Sequence, residues 1–409
     1  MKERYLTKSR FKLAMECPTK LYYTDKVEYA NHNLEDQFLL ALAEGGFQVG
    51  ELAKCYFPGG YDINTLDYGE ALHQTNNLLK IDKTTIYGAA FRYKSLFIRA
   101  DILIKNYDHI ELIEVKSKSI NKFSDSFKSR DGRIKSSWKP YLQDVAFQKY
   151  VISRALQGYT VSAYLMLADK NALCPEDGLN QKFKITRDQD GRKSITVSPT
   201  LSDKDLSDWI LIKEDVNEYC DVIYCENYDF ENGSLGFSDI INVYADSYAN
   251  DRKICSRPSA ICAACEYHAN KQEKLQGLRS GFEECWKDTL GWTDKDFEEL
   301  TVLDIWNFRK KNDFIGSGRI KMNEIAEKDI SPHSDDKPGL SNSERQWLQV
   351  QKVQKKETTI WIDHENLYKE MNKWVYPLHF IDFETTMSAI PFNKGRHPYE
   401  GIAFQFSQL

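Results

Sequence analysis

The stretch LFIRADILIKNYDHIELIEVKSKS, residues 96–119, alternates apolar and polar side chains in two short runs. Alternation with a period of two residues is typical of β-strands, and the NYDH tetrapeptide at 106–109 has the composition of a turn. We therefore predict an antiparallel hairpin with strands at 96–105 and 109–116. With the turn at this position, facing residues have numbers that sum to 215.

Three charged residues lie in these strands where apolar side chains are expected. Asp101 would face Glu114, and Lys116 would project from the same face two residues later. Charged groups in a strand cost free energy unless they are solvated, paired or bound to a metal. Mg²⁺ and Mn²⁺ prefer oxygen ligands, and a neighbouring ammonium group can assist attack on a phosphoryl group. The spacing therefore predicts a metal site for phosphodiester hydrolysis, and an exposed hairpin with a cross-strand ion pair is the alternative.

A basic loop follows the hairpin. Residues 116–139 contain eight Lys or Arg against two Asp, together with serines and a DG pair. This composition is typical of a loop, and its positive charge suits contact with a phosphate backbone.

Two helical patterns flank the hairpin in sequence. Residues 141–156 have apolar side chains at helical spacing and include Gln148, whose amide could hold a water or a phosphate oxygen. Residues 39–60 give a helical pattern that we expect to be interrupted by a glycine pair. Glu44 and Glu51 in this stretch are candidates for a third carboxylate at the site.

The cysteines form a separate pattern. Cys262 and Cys265 make a CxxC pair, Cys255 precedes them, and Cys17 lies far upstream. Four thiolates bind either Zn²⁺ or an iron–sulfur cluster, and such a centre would join the two ends of a domain. The nine cysteines of the chain and an N-terminus without an apolar signal core predict a reducing, cytoplasmic location.

Length and charge set the remaining limits. The chain has 409 residues, which favours two or three domains. No apolar run of about 18 residues occurs, so we expect no membrane span. The net charge of −6 does not indicate a nucleic-acid binder over the whole molecule, although a local basic groove is sufficient for binding.

Several motifs occur together in the order of a known family. They are YLTKSRFKLAMECPTKLYY at the start, FIRADILI with LIEVKSKS, DVAFQKY, and the late cysteines. In these the chain resembles the RecB-like branch of the PD-(D/E)XK nucleases, and within it the CRISPR-associated exonucleases of RecB type and the AddB nuclease domain. The resemblance covers residues 1 to about 270.

The resemblance implies a fold, a reaction and a set of site residues. The fold would be a restriction-endonuclease-like mixed sheet flanked by helices, in the α/β class. Asp101 and Glu114 would be the metal ligands, Lys116 the catalytic lysine and Gln148 the helix amide beside them. The family's first-motif histidine is absent, and Glu51 stands next to its expected position. Cys17, Cys255, Cys262 and Cys265 would hold a 4Fe-4S cluster, with Zn²⁺ as the alternative because the cysteine spacing differs from that of relatives.

A second motif lies near the C-terminus. VYPLHFIDFETTMSAIPF, residues 375–392, resembles the first motif of DnaQ-like exonucleases, which have a ribonuclease-H-type fold. Asp382 and Glu384 would then form a partial second metal site, at the beginning of a truncated exonuclease domain. The chain also resembles a bacterial family of uncharacterised proteins that joins the two parts. An ordinary strand with two exposed acids is the alternative.

These observations predict three domains. Residues 1–275 would be the nuclease domain, 276–372 a helical accessory region and 373–409 the beginning of the second nuclease. Within 276–372 we expect helices at 297–311 and 343–356, and a polar linker at 331–344.

We expect a Mg²⁺- or Mn²⁺-dependent deoxyribonuclease that acts on single-stranded DNA or on DNA ends, with protein partners in a repair or defence system. The alternative is a non-catalytic nucleic-acid-binding module or partner subunit with a structural metal centre.

Overall fold

The structure is a computed structural model, and it describes residues 3–34, 37–187, 193–230, 233–335 and 337–408. Over this part of the chain it shows a mixed α/β fold with thirteen α-helices and a mixed central sheet. The α/β class predicted from the sequence is therefore confirmed. None of the helices in the described ranges combines the length and the apolar character that crossing a membrane would require.

The chain forms two compact units. Unit 1 contains Met1–Met15, Glu35–Lys253 and Phe383–Phe406, and unit 2 contains Glu16–Leu34, Ile254–Asp382 and Ser407–Leu409. The three-domain division at 275 and 372 partitions the chain differently, and it stays a prediction.

The strands are β1 (Leu6–Thr7), β2 (Tyr61–Asp62), β3 (Lys83–Tyr93), β4 (Leu96–Asn106), β5 (His109–Ile120), β6 (Thr160–Asp169), β7 (Phe183–Arg187), β8 (Lys193–Val197), β9 (Leu211–Asp215), β10 (Asn227–Phe230), β11 (Gly233–Gly236), β12 (Ile381–Thr386) and β13 (Ile402–Gln408). The helices are α1 (Lys8–Glu16), α2 (Lys20–Tyr23), α3 (Gln37–Cys55), α4 (Tyr68–Leu78), α5 (Lys139–Ala155), α6 (Asn217–Tyr224), α7 (Phe237–Ala249), α8 (Lys271–Leu275), α9 (Gly281–Leu290), α10 (Lys311–Gly316), α11 (Glu327–Ile330), α12 (Asn342–Gln354) and α13 (His364–Met371).

Unit 1 is built on a seven-stranded sheet. The strand order is β2-β3-β4-β5-β6-β9, and β1 pairs with β4 outside this order. Pairing is antiparallel for β3–β4, β4–β5 and β6–β9, and parallel for β2–β3, β5–β6 and β1–β4. Three two-stranded sheets, β7–β8, β10–β11 and β12–β13, complete the strand pairing of the described residues.

The predicted hairpin is confirmed in position and register. The strands β4 and β5 pair from Ile102 opposite Ile113 to Asn106 opposite His109, and every pair sums to 215. The sequence specifies this register because the turn chemistry and the alternation of both strands agree.

Helices cover the two faces of the sheet. On one face Val49 and Leu52 of α3 share a core with Ile102, Ile113 and Met166. α3 runs without a break through the glycine pair, so the interruption expected there is wrong. Glycine costs about 1 kcal/mol within a helix, and the burial of this apolar face offsets that cost.

The other face of the sheet is covered by α5. Leu142, Phe147 and Val151 of this helix are fully buried, and the Phe147 ring stacks on Phe11 of α1 with 4.4 Å between centroids. The hairpin presents Asp101 and Glu114 to this face, opposite the face that carries Ile102 and Ile113, because successive side chains alternate.

Unit 2 has its own core of short helices and turns. Trp286, Val302, Ile325 and Val350 are buried together there. The helix expected at 343–356 is present as α12. The helix expected at 297–311 is wrong, because two 3₁₀ turns replace it. Each turn begins with a threonine whose backbone N–H is bonded by the aspartate three residues later, and this local capping interrupts a continuous helix.

Candidate active site

The end of the β4–β5 hairpin places the first two predicted ligands side by side. The regular pairing of the two strands stops at Ile102 opposite Ile113, one residue before Asp101 and Glu114. At this point a side-chain hydrogen bond joins the two strands, since Asp101 Oδ2 accepts a hydrogen bond of 2.9 Å from the Val115 N–H. The two strands therefore open at the position where both carboxylates lie.

β1 fills the edge of β4 that β5 leaves free. Thr7 pairs with Phe97, and β3 already occupies the opposite edge of β4 along its length. Because α1 begins immediately after β1, its first residue, Lys8, reaches the opening between the strands. Its Nζ lies 3.5 Å from Asp101 Oδ1 and 2.8 and 3.1 Å from the two carboxylate oxygens of Glu114.

Lys116 completes a cluster of alternating charge. Its Nζ donates to Glu114 Oε1 and, at 2.8 Å, to Asp144 Oδ2 on α5. Glu114 is fully buried and Asp144 almost so. The cluster therefore contains three carboxylates, Asp101, Glu114 and Asp144, and two ammonium groups, Lys8 and Lys116.

Gln148 lies one helical turn after Asp144 and reaches the same carboxylate. Its Nε2 donates to Glu114 Oε2 at 2.8 Å, and the side chain is fully buried. The i, i+4 spacing on α5 brings both side chains to the sheet. Two buried oxygens, Asp144 Oδ1 and Gln148 Oε1, have no hydrogen-bond partner among the residues that the structure describes. Such orphaned acceptors are rare in protein interiors, and they suit a cation or an ordered water.

Burial and neighbouring charges shift the pKa values of the three carboxylates in different directions. Burial and the neighbouring Glu114 charge raise the pKa of Asp101 to about 6. Burial would also raise the pKa of Glu114, but Lys116 and Lys8 together lower it well below its usual range. Burial and the Glu114 charge raise the pKa of Asp144. At neutral pH, Glu114 is therefore the most strongly held anion of the cluster.

The candidate third carboxylates have other partners. Glu51 pairs with Lys54 at 2.8 Å, and Glu44 pairs with Lys193. In their place α5 supplies Asp144, which the sequence reasoning missed together with Lys8. The i−4 spacing to Gln148 was a signal for Asp144. Lys8 had no local signal, because its position depends on the pairing of β1 with β4.

The predicted basic loop is largely paired with carboxylates. Besides Lys116, four of its basic residues form ion pairs: Lys122 with Asp169, Lys128 with Glu218, Arg133 with Asp131, and Lys139 with Glu226. Lys118 instead lies over the Trp138 and Tyr141 rings, at 4.7 and 5.0 Å from their centroids.

The donor set of the cluster fits a hard divalent cation, since it offers three carboxylates and an amide oxygen. Within the described ranges, no group of three or more His, Cys, Asp or Glu side chains is arranged so that it could hold a metal ion. In this structure the ammonium groups of Lys8 and Lys116 hold the carboxylate oxygens instead.

The cysteine pattern lies within unit 2. Burial raises the pKa of Cys262, and the nearby Cys17 thiol raises it further. Burial also raises the pKa of Cys265 to about 12. A hydrogen bond of 2.9 Å from the Ser256 N–H to Thr19 joins the two chain segments that carry these thiols. Cys255 differs from the other three because it is exposed. Soft thiols from distant segments suit zinc or an iron–sulfur cluster.

The second predicted site lies on β12. Asp382 and Glu384 are both exposed on this strand. The strand pairs with β13 in a two-stranded sheet.

Comparisons with known proteins give one finding. Residues 379–409 match the family described as a domain of unknown function (DUF2779). Neither the curated proteins nor the solved structures give a match to the chain. The similarity therefore covers β12, β13 and the segment between them, and it assigns no activity.

Proposed function

We propose that the protein is a metal-dependent deoxyribonuclease of the RecB-like PD-(D/E)XK type, with Mg²⁺ or Mn²⁺ as the metal. One observation carries the proposal: Asp101, Glu114 and Lys116 of the hairpin meet Gln148 of α5 on one face of a mixed sheet. The resemblance to this family predicts these four residues. Single-stranded DNA or DNA ends are the expected substrate, in repair or in defence against phages.

Each residue of the cluster has a role that follows from its contacts. Asp101 and Glu114 would hold the metal, and Asp144 adds a third negative charge. Gln148 fixes the Glu114 carboxylate through its hydrogen bond. Lys116, held by Asp144, would stabilise the negative charge that builds on the phosphate oxygens. A bound divalent cation would lower the pKa of attacking water and neutralise phosphate charge. Lys8 must withdraw from Glu114 for a cation to bind between the carboxylates.

The test is cleavage of end-labelled oligonucleotides, single-stranded and duplex, with Mg²⁺ or Mn²⁺. Lys116→Ala and Asp101→Asn should each reduce the cleavage rate by about 100-fold or more. Lys12→Ala is the matched control, because Lys12 is exposed on α1. Circular dichroism of each variant tests whether it is folded. Absence of cleavage by the parent protein with either metal, or equal rates for Lys116→Ala and the parent, would exclude the proposal.

A second function is a non-catalytic nucleic-acid-binding module or partner subunit. It is favoured by the ion pairs of Glu114 with Lys8 and Lys116, which neutralise the buried carboxylate without any metal. In that case the protein should retain an oligonucleotide, release no cleavage product and give no heat on titration with Mn²⁺.

We propose further that unit 2 holds a 4Fe-4S cluster, with Zn²⁺ as the alternative. Cys17, Cys262 and Cys265 would be ligands, and Cys255 would be the fourth. The support is the partial burial of the two CxxC thiols and the hydrogen bond from the Ser256 N–H to Thr19, which joins the segment of Cys17 to that of the late cysteines.

A further inference from the structure

The strand that carries Glu114 and Lys116 has an irregular continuation. Between Val115 and Ser119 the pairing register with β6 shifts, so residues 116–118 stand opposite Leu167 alone. A bulge of this kind disrupts the regular ladder of hydrogen bonds. The position of Lys116 therefore depends on contacts from outside the ladder.

A segment far along the chain approaches this bulge. Residues 388–400, here called the C-terminal segment, belong to unit 1. Ala389 and Ile390 are buried in the same core as Leu52 and Ile113. Four backbone hydrogen bonds join the segment to the loop that follows β6: Asn180 N to Pro391 O at 3.2 Å, Gly178 N to Phe392 O at 2.6 Å, Gly395 N to Cys174 O at 2.8 Å, and Cys174 N to Arg396 O at 2.9 Å.

Tyr399 connects this segment to the bulge. Its Oη donates to the Ser117 carbonyl oxygen, and its ring packs against the core of unit 1. Its backbone N–H donates to Ser388 O at 2.8 Å, and its φ is +61°. A tyrosine in the left-handed region is strained and persists only where surrounding contacts determine it.

We propose that Tyr399 is a positioning residue for Lys116. Its hydroxyl holds the Ser117 carbonyl, and this contact sets the path of the bulge so that Lys116 meets Glu114 and Asp144. The catalytic part of the inference rests on the proposed nuclease function. The segment that resembles the uncharacterised family would then form part of the first site, in addition to any role in a second domain.

The test is Tyr399→Phe in the full chain, which removes only the hydroxyl. Loss of one hydrogen bond to the bulge should speed amide hydrogen exchange at residues 116–118 by about fivefold. The kcat for oligonucleotide cleavage should fall by a similar factor of about five, with KM within about twofold, because substrate contacts are retained. Tyr107→Phe is the matched control, since Tyr107 is exposed in the turn at the other end of the hairpin.

The two measurements separate this inference from the proposed function. Unchanged exchange at 116–118 in Tyr399→Phe overturns the inference whether or not the protein is a nuclease. Faster exchange with unchanged kcat in an active enzyme also overturns the positioning role. If the parent protein cleaves nothing, the nuclease proposal fails, and the exchange measurement still decides whether Tyr399 holds the bulge.

Discussion

Glu114 is the residue on which the other charges of the site converge. It has no exposed surface, and it accepts hydrogen bonds from Lys8, Lys116 and Gln148. A buried carboxylate persists only when its charge is paired and its lone pairs are satisfied. Asp101 and Asp144 add two more carboxylates against two ammonium groups. The ionised cluster therefore keeps one net negative charge, which attracts a cation.

The first prediction concerns Lys8, which occupies the space between the carboxylates. Its Nζ lies 2.8 Å from Glu114 Oε1, where its charge repels an incoming divalent cation. Lys8→Gln keeps hydrogen-bond donors and removes the charge. We expect Mn²⁺ to bind about tenfold more tightly, measured by isothermal titration calorimetry, because a like charge at this distance is removed from a poorly solvated site.

Lys12→Gln is the control for Lys8→Gln, because it removes the same charge from an exposed position of the same helix. Weaker Mn²⁺ binding in Lys8→Gln would show that Lys8 supports the site rather than competing with the metal.

The second prediction follows from the raised pKa of Asp101, which is about 6 against a usual 3.8. The folded protein holds this proton more tightly than the unfolded chain, so stability is lost as pH rises from about 4 to about 6. Asp101→Asn does not titrate. Its free energy of unfolding relative to the parent should therefore rise over this window and then level off. The gain should be on the order of 1 kcal/mol, since the side chain is 35% exposed and solvent screens the interaction.

Urea unfolding in the presence of a chelator, repeated between pH 4 and pH 7, measures this difference. Asp108→Asn is the control, because it makes the same substitution at an exposed position of the hairpin turn, outside the charged cluster. A difference for Asp101→Asn that falls with pH would contradict the proposed environment of the carboxylate.

At the scale of elements, the hairpin could be predicted and its irregular end could not. The turn and the two alternating strands specify one register, and this register alone places Asp101 beside Glu114. The shift at residues 116–118 had no signal, because these residues are all polar and show no alternation from which a register could be read. Lys8 also escaped prediction, because a two-residue strand is too short to show a pattern.

The third prediction concerns α5, which presents polar side chains to the sheet among apolar ones. Gln148→Leu keeps a similar volume but removes the hydrogen bond to Glu114 Oε2. The carboxylate then loses a buried donor, and the free energy of unfolding should fall by about 1–3 kcal/mol. Urea denaturation measures the loss. Arg154→Leu, at an exposed position of the same helix, is the control and should change stability by no more than about 0.5 kcal/mol. An equal loss of unfolding free energy in the two variants would show that the Gln148 hydrogen bond does not stabilise the protein.

At the scale of the whole molecule, each unit combines segments that are distant in sequence. Unit 2 combines residues 16–34 with 254–382, and unit 1 combines residues 383–406 with 1–15 and 35–253. The cysteine spacing indicated that residues 16–34 join 254–382, since Cys17 was expected to meet the late cysteines. The inclusion of residues 388–400 in unit 1 had no signal, because the backbone hydrogen bonds that join them to the loop after β6 leave no trace in composition.

The last prediction tests whether the thiols of unit 2 bind a metal. Burial raises the pKa of Cys262 and Cys265, so thiolates at these positions need a compensating cation. Cys262→Ser should lower the metal content per chain by about half or more and lower the melting temperature, because binding energy of a structural metal contributes to folding. Iron with acid-labile sulfide and visible absorbance would identify a cluster, and zinc alone would identify the alternative.

Cys225→Ser is the matched control, because Cys225 is an exposed thiol of unit 1 and lies outside the cysteine pattern. Its metal content and melting temperature should equal those of the parent. Cys255→Ser then distinguishes a three-thiolate set from a four-thiolate set, since Cys255 is exposed whereas the other three cysteines of the pattern are partly buried. If Cys262→Ser retains the metal content of the control, Cys262 and Cys265 are only partly buried side chains packed against the apolar core, and the unit folds without a metal at these thiols.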